Sequence, residues 1–206
     1  MKEKPLATGS ASETAHQIVD EAFRTLRSTV KFASGEHAVR SVLVVDVDTS
    51  STSDVARRLA ESFVQAGDRC AYVETDGRGA GAEPGFADLV AGKPLPEKYQ
   101  QAGGAGLVVV PAGRAAGGDH LASAGADRAL ATLADQFDLV VLSCAPLPRY
   151  ADALALASRV DGVIMVVASG TTRRPKAIDA RDALQRVGAN ILGVVLAEGK
   201  RGLFSR

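Results

Sequence analysis

The sequence is poor in aromatic residues and cysteine, and it contains no tryptophan. Its 206 residues include six phenylalanines, three tyrosines and two cysteines. Cys70 and Cys144 both lie inside aliphatic runs, so we expect buried, inert thiols rather than reactive ones. Hydrophobic residues still make up 46% of the chain. An aliphatic core of this size is sufficient for one full domain.

Net charge and long apolar runs are also absent. The 24 basic residues are balanced by 24 acidic ones, so the chain lacks the basic excess typical of a nucleic-acid-binding protein. No apolar run approaches the roughly 20 residues that span a bilayer, and the first residues, MKEKPLATGSASE, contain no apolar signal segment. We therefore expect a cytoplasmic protein with no nucleic-acid partner.

Aliphatic runs alternate with helical patterns along the chain. A capping-box spacing at Ser10 and Glu13 predicts a long amphipathic helix that ends near Ala33. The six aliphatic runs occupy residues 41–46, 70–74, 107–110, 139–143, 162–167 and 191–196. Such runs, separated mostly by helical patterns, indicate an α/β fold with a doubly wound, mostly parallel sheet flanked by helices.

The same pattern predicts one domain with two short extensions. Residues 1–9 are expected to form a flexible N-terminal arm, residues 10–199 the domain, and residues 200–206 a short C-terminal tail. Two glycine-rich stretches, 77–85 and 103–118, are predicted loops.

Ligands of an open parallel sheet bind at the carboxyl ends of its strands, which makes the segment after the first run a candidate site. This segment contains Asp46, Asp48 and Asp54 but neither the glycines nor the lysine of a phosphate-binding loop. Its spacing approaches an EF-hand loop, yet Ser51 and Arg57 stand where that loop needs glycine and glutamate. We expect no metal site, and a solvated helix N-terminus is the simpler interpretation.

A second candidate, a phosphatase loop, fails on spacing. Cys144 and Arg149 are one residue too close for the Cys-x5-Arg arrangement, and Ala145-Pro146 provides no nest of backbone N–H groups.

Several motifs together resemble the bacterial tyrosine kinases (BY-kinases) of capsule and exopolysaccharide export, which belong to the ParA/MinD-like P-loop class. The first helix contains Glu21-x-x-Arg24-x-x-Arg27, and segments from LAESFVQAGDRCAYVETDGR to LQRVGANILGVVL follow in the family's order. The resemblance covers about residues 13–197. It implies a three-layer P-loop NTPase-like fold with a nucleotide site.

The departures from the family fall on that nucleotide site. Thr52 stands at the position of the Walker A lysine, a serine replaces the Walker B aspartate, and an alanine replaces the asparagine that contacts adenine. The predicted degenerate nucleotide site consists of Thr49, Ser51, Thr52, Ser53, Asp54, Glu74, Asp76, Ser143 and Ala197. The tail, GKRGLFSR, also lacks the family's tyrosine cluster.

Phosphoryl transfer depends on positioning and on charge neutralisation by lysine and Mg²⁺. From the substitutions we predict a pseudokinase that has no catalytic residues, is not an enzyme and needs no cofactor. Its predicted role is that of a scaffold or regulator in bacterial exopolysaccharide or capsule biosynthesis and export. The resemblance implies that it binds a membrane-embedded co-polymerase or chain-length regulator, which recruits it to the inner face of the cell membrane.

The first helix offers a candidate interface. Glu21, Arg24 and Arg27 lie on a face separate from the helix's apolar positions, and in the resembled family this motif docks on the neighbouring subunit of a ring. The chain is thus expected to join a ring with itself or with an active BY-kinase. The alternative is a solvated helix face with weak ion pairs. Two loops at the carboxyl edge, 146–150 and Thr171–Lys176, are further candidates for partner contact, or ordinary connections.

Two other functions remain open. The chain is alternatively an ATP-dependent protein-tyrosine autokinase, using ATP and Mg²⁺, in which Lys31, Lys93 or Arg78 reaches the phosphates and Tyr99 or Tyr150 accepts the phosphoryl group. A weaker alternative is a MinD/ParA-like positioning module, which would need a C-terminal amphipathic helix or a basic surface.

Overall fold

The computed structural model of the chain describes residues 9–33, 38–48, 54–76, 83–99, 106–114, 120–147 and 151–198. The helices are α1 (Gly9–Phe32), α2 (Asp54–Gln65), α3 (Phe86–Val90), α4 (Ala124–Gln136), α5 (Ala151–Ala157) and α6 (Arg174–Arg186). The strands are β1 (Ser41–Asp46), β2 (Cys70–Glu74), β3 (Val108–Val110), β4 (Leu139–Ser143), β5 (Gly162–Ser169) and β6 (Ile191–Glu198).

The six strands form one sheet in the order β3-β2-β4-β1-β5-β6. Every pairing in it is parallel. The strand β1 lies between β4 and β5, so the first strand of the chain is central in the sheet. The predicted fold class is confirmed, and all six aliphatic runs are strands.

The sheet is aliphatic because both of its faces are covered. On one face, side chains such as Val42, Val44 and Val141 pack with α1 and α2. On the other, Leu43, Val45 and Leu142 pack with α3, α4, α5 and α6. Strands buried on both faces need apolar residues at consecutive positions, which explains why they appear in the sequence as runs rather than as alternating patterns.

The first helix packs on α2 and contributes to the core on that face of the sheet. Val30 is fully buried, and Phe23 and Leu26 are half-buried against the same core. Near its C-terminal end, Lys31 Nζ lies 2.9 Å from Asp68 Oδ2. The helix begins at Gly9, one residue before the predicted N-cap and inside the predicted arm; the remainder of that arm and the predicted tail lie outside the described residues.

Three elements differ from the sequence prediction. The short helix α3 was not predicted, because five residues contain little more than one turn of periodicity. Strands β5 and β6 each extend two residues beyond their aliphatic runs, to Ser169 and Glu198. Within the described residues, no helix is both long enough and apolar enough to cross a membrane.

Candidate nucleotide site at the carboxyl edge of the sheet

The carboxyl end of β1 is the point where the connections of the sheet change face. After β1 the chain leads to α2 on one face, whereas its neighbours β4 and β5 lead to α5 and α6 on the other. A crevice outside the strand ends forms at such a point, and it is the usual ligand site of open α/β sheets.

Acidic residues are concentrated at the carboxyl end of β1. Asp46 is the last residue of β1 and is buried, and Asp48, two residues further on, has a side chain only 12% exposed. Asp54 is the first residue of α2 and is exposed. A carboxylate there interacts favourably with the positive end of the helix dipole. Thr49, Ser51, Thr52 and Ser53, the predicted substitutes of the Walker A loop, lie outside the described residues.

The second acidic motif lies beside the first. Glu74 ends β2 and is exposed, and it pairs in register with Ser143 at the end of β4. Asp76 follows two residues later and is half-buried. Among the described residues, no three acidic, histidine or cysteine side chains are close enough to hold a metal ion by themselves.

Ser143 is part of a buried hydrogen-bond cluster. Its hydroxyl lies 3.0 Å from the phenol oxygen of Tyr72, and its carbonyl accepts bonds of 2.9 Å from both the backbone N–H and the hydroxyl of Thr75. The residue at the Walker B position therefore ties the ends of β2 and β4 together.

The neighbouring thiol is not a nucleophile. Cys144 is buried, and burial, followed by the negative charges of Asp46, Asp76 and Asp152, raises its pKa far above the ordinary value for cysteine. Burial likewise raises the pKa of Cys70 to about 12. A thiolate is thus disfavoured at both positions, which agrees with the expectation of inert cysteines.

The last predicted site residue lies further along the same edge. Ala197 is half-buried near the end of β6 and pairs with Ala168 of β5. The structure therefore brings the described members of the predicted site to the carboxyl ends of the parallel strands. They are Asp54, Glu74, Asp76, Ser143 and Ala197.

The cations named for the kinase alternative are located elsewhere. Lys31 pairs with Asp68, which precedes β2 and so lies at the opposite, amino edge. Lys93 pairs at 3.4 Å with the buried Asp88, beside the end of β3. Since β3 is three strand positions from β1, that pair is about 14 Å from the crevice. Arg78 lies outside the described residues.

Sequence analysis placed the segment Thr171–Lys176 at this edge for partner contact, but it did not identify Lys176 as a cation beside the acidic residues. Lys176, the third residue of α6, has its Nζ 3.9 Å from Asp48 Oδ2. The two residues are far apart in sequence, and no spacing motif joins them. The two residues are brought together because β1 pairs in parallel with β5, and α6 begins shortly after β5 at this edge.

Two of the three tyrosines are buried. Tyr72 is 4% exposed inside β2, and Tyr99 is 7% exposed and donates its O–H to Glu83 Oε2 over 2.7 Å. Lys98 also contacts Glu83, at 2.7 Å, and its ammonium lies over the Tyr99 ring. Tyr99 therefore has a structural role here, and Tyr150 lies outside the described residues.

The predicted interface motif on α1 divides into two parts. Glu21 and Arg24 form an exposed ion pair at 3.2 Å. Arg27 instead is half-buried and donates a hydrogen bond from Nη1 to the carbonyl of Ser62 in α2. The sequence predicted that all three charges would face outward. This is wrong for Arg27, which lies against α2 and hydrogen-bonds the Ser62 carbonyl.

The parallel sheet with β1 at its centre and helices on both faces is a P-loop NTPase-like fold. One structural neighbour is cobyrinic acid a,c-diamide synthase from Mycobacterium smegmatis, solved with a bound ATP analogue and magnesium. It is 18% identical, with a TM-score of 0.57, and the match covers 76% of this chain and 72% of that one.

Within this class, the resemblance to bacterial tyrosine kinases is confirmed. The chain is 23% identical to tyrosine-protein kinase CpsD of Streptococcus agalactiae, over 86% of this chain and 82% of the relative. It is 24% identical to tyrosine-protein kinase YwqD of Bacillus subtilis, over 88% and 81%. The kinase domain of Escherichia coli tyrosine kinase ETK has the same fold, at a TM-score of 0.78 and 23% identity, covering 91% of this chain and 78% of that one. No protein-family model matches the chain.

The prediction that the chain is not an enzyme is wrong. The relatives that it matches over most of their length are named as tyrosine-protein kinases, which points to a kinase. The prediction treated the loss of the Walker A lysine and glycines, together with the Walker B aspartate, as the loss of catalysis. The position of Lys176 beside Asp48 shows that a cation can reach this edge from a different element.

Proposed function

We propose that this chain is an ATP-dependent protein-tyrosine kinase of the BY-kinase type, with an unusual nucleotide site, that acts in capsule or exopolysaccharide biosynthesis. The observation that carries the proposal is the match to named tyrosine-protein kinases over more than 80% of the length of both chains. The parallel sheet supports it, because the crevice at β1 is where this class of fold binds ligands.

The proposed phosphate position is the space between the end of β1 and the start of α2. The first turn of α2 presents backbone N–H groups and the positive end of the helix dipole, both of which favour phosphate. Mg²⁺ would be held by one or two carboxylates together with the nucleotide phosphates, and Asp48 and Asp54 supply oxygen atoms of the kind that Mg²⁺ prefers. The ion supplies charge neutralisation of the transferred group.

The acceptor of the phosphoryl group is proposed to be a tyrosine other than Tyr72 and Tyr99. Both of these are buried, and both phenol groups are engaged in hydrogen bonds. Tyr150 of this chain and tyrosines of a partner protein are the remaining candidates.

We also propose a cytoplasmic location and a membrane-embedded polysaccharide co-polymerase as the partner. The exposed Glu21–Arg24 pair on α1 supports assembly with a neighbouring subunit, because arginine suits bidentate contacts with carboxylates. The exposed segment Thr171–Lys176 is a second surface open to a partner at the same edge as the crevice.

The kinase proposal is tested on the purified chain with millimolar Mg-ATP. We expect a thermal shift on addition of Mg-ATP and phosphotyrosine, detected by mass spectrometry, on Tyr150 or on an added Glu-Tyr copolymer. Asp48→Asn should reduce phosphotyrosine formation, whereas Asp135→Asn, a change of an exposed carboxylate on α4, should not. A chain that shows neither a thermal shift nor phosphotyrosine, alone or with the co-polymerase, would contradict the proposal.

The partner proposal has its own test. A membrane-embedded polysaccharide co-polymerase of the same cell should co-purify with the chain from detergent extracts, and deletion of the gene for the chain should alter surface polysaccharide. Absence of both effects would rule out this partner and this pathway while leaving the kinase proposal intact.

A further inference from the structure

The carboxyl edge of the sheet contains a cation that no sequence motif indicates. Lys176 Nζ lies 3.9 Å from Asp48 Oδ2, and the lysine side chain is 55% exposed. Asp48 is the last described residue before the segment that stands at the Walker A position. The ammonium group therefore lies at the carboxyl end of β1, where open parallel sheets bind their ligands.

Strand pairing explains how α6 comes to this place. Asp46, the last residue of β1, is in register with Val166 of β5, and the N–H of Val47 donates to the Val166 carbonyl at 2.9 Å. The strand β5 then continues to Ser169, so it extends past the end of β1 toward the crevice.

A tight turn then directs the chain into α6. The N–H of Thr172 donates to the Ala168 carbonyl over 2.9 Å, and the N–H of Ala168 donates to the Thr172 hydroxyl over 3.1 Å. Pro175 occupies the first turn of α6, where its fixed φ favours helix initiation. Lys176 follows it directly, so its backbone is held by a closed turn while its long side chain extends toward Asp48.

The other candidate cations are less suitable. Lys93 is bound to a carboxylate that is only 4% exposed, and Lys31 lies at the amino edge of the sheet. Moving Lys93 would leave the buried Asp88 without its charged partner. Lys176 can exchange one partner for another at lower cost, because its own side chain is half-exposed and Asp48 borders the crevice.

We propose that Lys176 contacts the phosphate groups of the bound nucleotide and replaces the lysine that the Walker A segment lacks. This inference rests on the proposed function, since it assigns a residue to the same nucleotide site. A phosphate chain carries more negative charge than one carboxylate, so the ammonium of Lys176 turns from Asp48 to the phosphates when they are present. Asp48 is then released to face the positive charge of Mg²⁺.

The test measures binding of ATP and of tripolyphosphate to the full chain by isothermal titration calorimetry in EDTA. Without Mg²⁺, the measured affinity reports direct contacts between protein and phosphate. Lys176→Gln should weaken both ligands about tenfold, which corresponds to about 1.4 kcal/mol. Lys176→Arg should retain most of the affinity, because arginine also binds phosphate. Arg186→Gln is the control, since it removes one positive charge from the same helix about 15 Å away.

Asp48→Asn separates a phosphate contact from a purely structural ion pair. If Lys176 serves only to hold Asp48, then Asp48→Asn should weaken binding as much as Lys176→Gln does, and the inference is overturned. If Lys176 contacts phosphate, Asp48→Asn should leave the affinity unchanged or raise it, since a repelling charge is removed.

The remaining outcomes distinguish this inference from the kinase proposal. Equal binding by the wild-type chain and Lys176→Gln overturns the role of Lys176 and leaves the kinase proposal standing. Another outcome is that tripolyphosphate binds in a Lys176-dependent way, that ATP binds no more tightly than tripolyphosphate, and that the chain has no kinase activity. This outcome supports the phosphate contact and contradicts the kinase proposal. A wild-type chain that binds neither ligand in EDTA overturns the role of Lys176, and the thermal-shift and phosphotyrosine tests with Mg-ATP then decide the kinase proposal separately.

Discussion

At the scale of single residues, a buried carboxylate fixes the edge of the sheet near β3. Asp88 is 4% exposed and accepts hydrogen bonds of 3.1 Å from the backbone N–H groups of Gly85 and Arg114. Lys93 supplies a positive charge at 3.4 Å. Gly85 itself is required by close packing, because a Cβ there would lie 2.1 Å from the carbonyl oxygen of Pro111. One side chain thus joins α3 to the loop after β3.

Loss of the charge on Asp88 should destabilise the protein in a pH-dependent way. Burial opposes ionisation of Asp88, but the bonds from Arg114 and Gly85 and the Lys93 charge outweigh it, so its pKa lies below the ordinary value. The carboxylate therefore stabilises the fold above the unfolded-state pKa of about 3.9, and this contribution is lost as pH falls through the lower folded-state pKa. Asp88→Asn should cost about 1–3 kcal/mol at pH 7.

Urea denaturation at pH 7 and at several values below pH 4 measures this effect. The difference between wild type and Asp88→Asn should shrink as the pH falls. Asp179→Asn, which changes an exposed carboxylate on α6, should be nearly neutral throughout. A destabilisation by Asp88→Asn that stays constant down to the lowest pH would show that charge is not the cause.

A second residue-scale prediction concerns the buried pair of Tyr72 and Ser143. Their hydroxyl oxygens are 3.0 Å apart, and both residues are less than 9% exposed. Tyr72→Phe leaves the Ser143 hydroxyl without this partner and should cost about 1–2 kcal/mol in unfolding free energy. Because Ser143→Ala removes the other half of the same bond, the double variant should cost less than the sum of the two. Strict additivity in this double-mutant cycle would show that the two hydroxyl groups are not coupled.

At the scale of elements, α1 depends on a few apolar positions for its attachment. Val30 is 1% exposed, whereas Phe32, two residues later on the same helix, is 82% exposed. Val30→Ala deletes about two buried carbon atoms and should lower the unfolding free energy by about 1.5–2.5 kcal/mol. Phe32→Ala, which deletes a larger side chain, should change it by less than about 0.5 kcal/mol. Chemical denaturation measures the unfolding free energy of both variants. A larger loss for Phe32→Ala than for Val30→Ala would mean that α1 is rotated from the orientation described.

Strands could be predicted from the sequence where burial on both faces makes consecutive residues apolar. The run at 139–143 is apolar at successive positions because β4 has helices on both faces, so its bounds agree with the structure. The ends of β6 were less predictable, since an edge strand is partly exposed and Val194 and Leu196 face solvent. Helix α3 was missed because Phe86–Val90 is held by contacts with the distant segment 111–113, not by its own periodicity.

At the scale of the whole molecule, the acidic side of the site was predictable and the basic side was not. Asp46 and Glu74 end their aliphatic runs and Asp48 follows the first run by two residues, and parallel strands necessarily bring their carboxyl ends to one edge. The segment Thr171–Lys176 was placed at this edge as a candidate partner contact, but no spacing in the sequence indicates that Lys176 contacts Asp48. The acidic residues could therefore be predicted from their positions at the ends of strands, whereas a contact between residues that are distant in sequence could not.

The packing of α1 divides the charged residues of its motif between an outer and an inner side. The inner face of α1 packs with α2 and the core, and Glu21 and Arg24 lie on its outer face with side chains 68% and 63% exposed. Arg27 lies on the inner side, bonded to the Ser62 carbonyl of α2. The motif therefore contains an exposed pair, which we propose serves assembly, and one residue that bonds within the subunit, and variants should separate the two roles.

Arg24→Ala should reduce the oligomer population, measured by size-exclusion chromatography with light scattering. It should change the unfolding free energy by less than about 0.5 kcal/mol, since exposed ion pairs contribute little.

Arg27→Ala should leave the oligomer population unchanged but destabilise the subunit. It removes a partly buried hydrogen bond to α2 and should lower the unfolding free energy by about 1–2 kcal/mol. The measurement must use monomeric dilutions, so that stability and assembly are not mixed. Equal losses of oligomer in the two variants, with no loss of stability in Arg27→Ala, would mean that Arg27 reaches the neighbouring subunit and not Ser62.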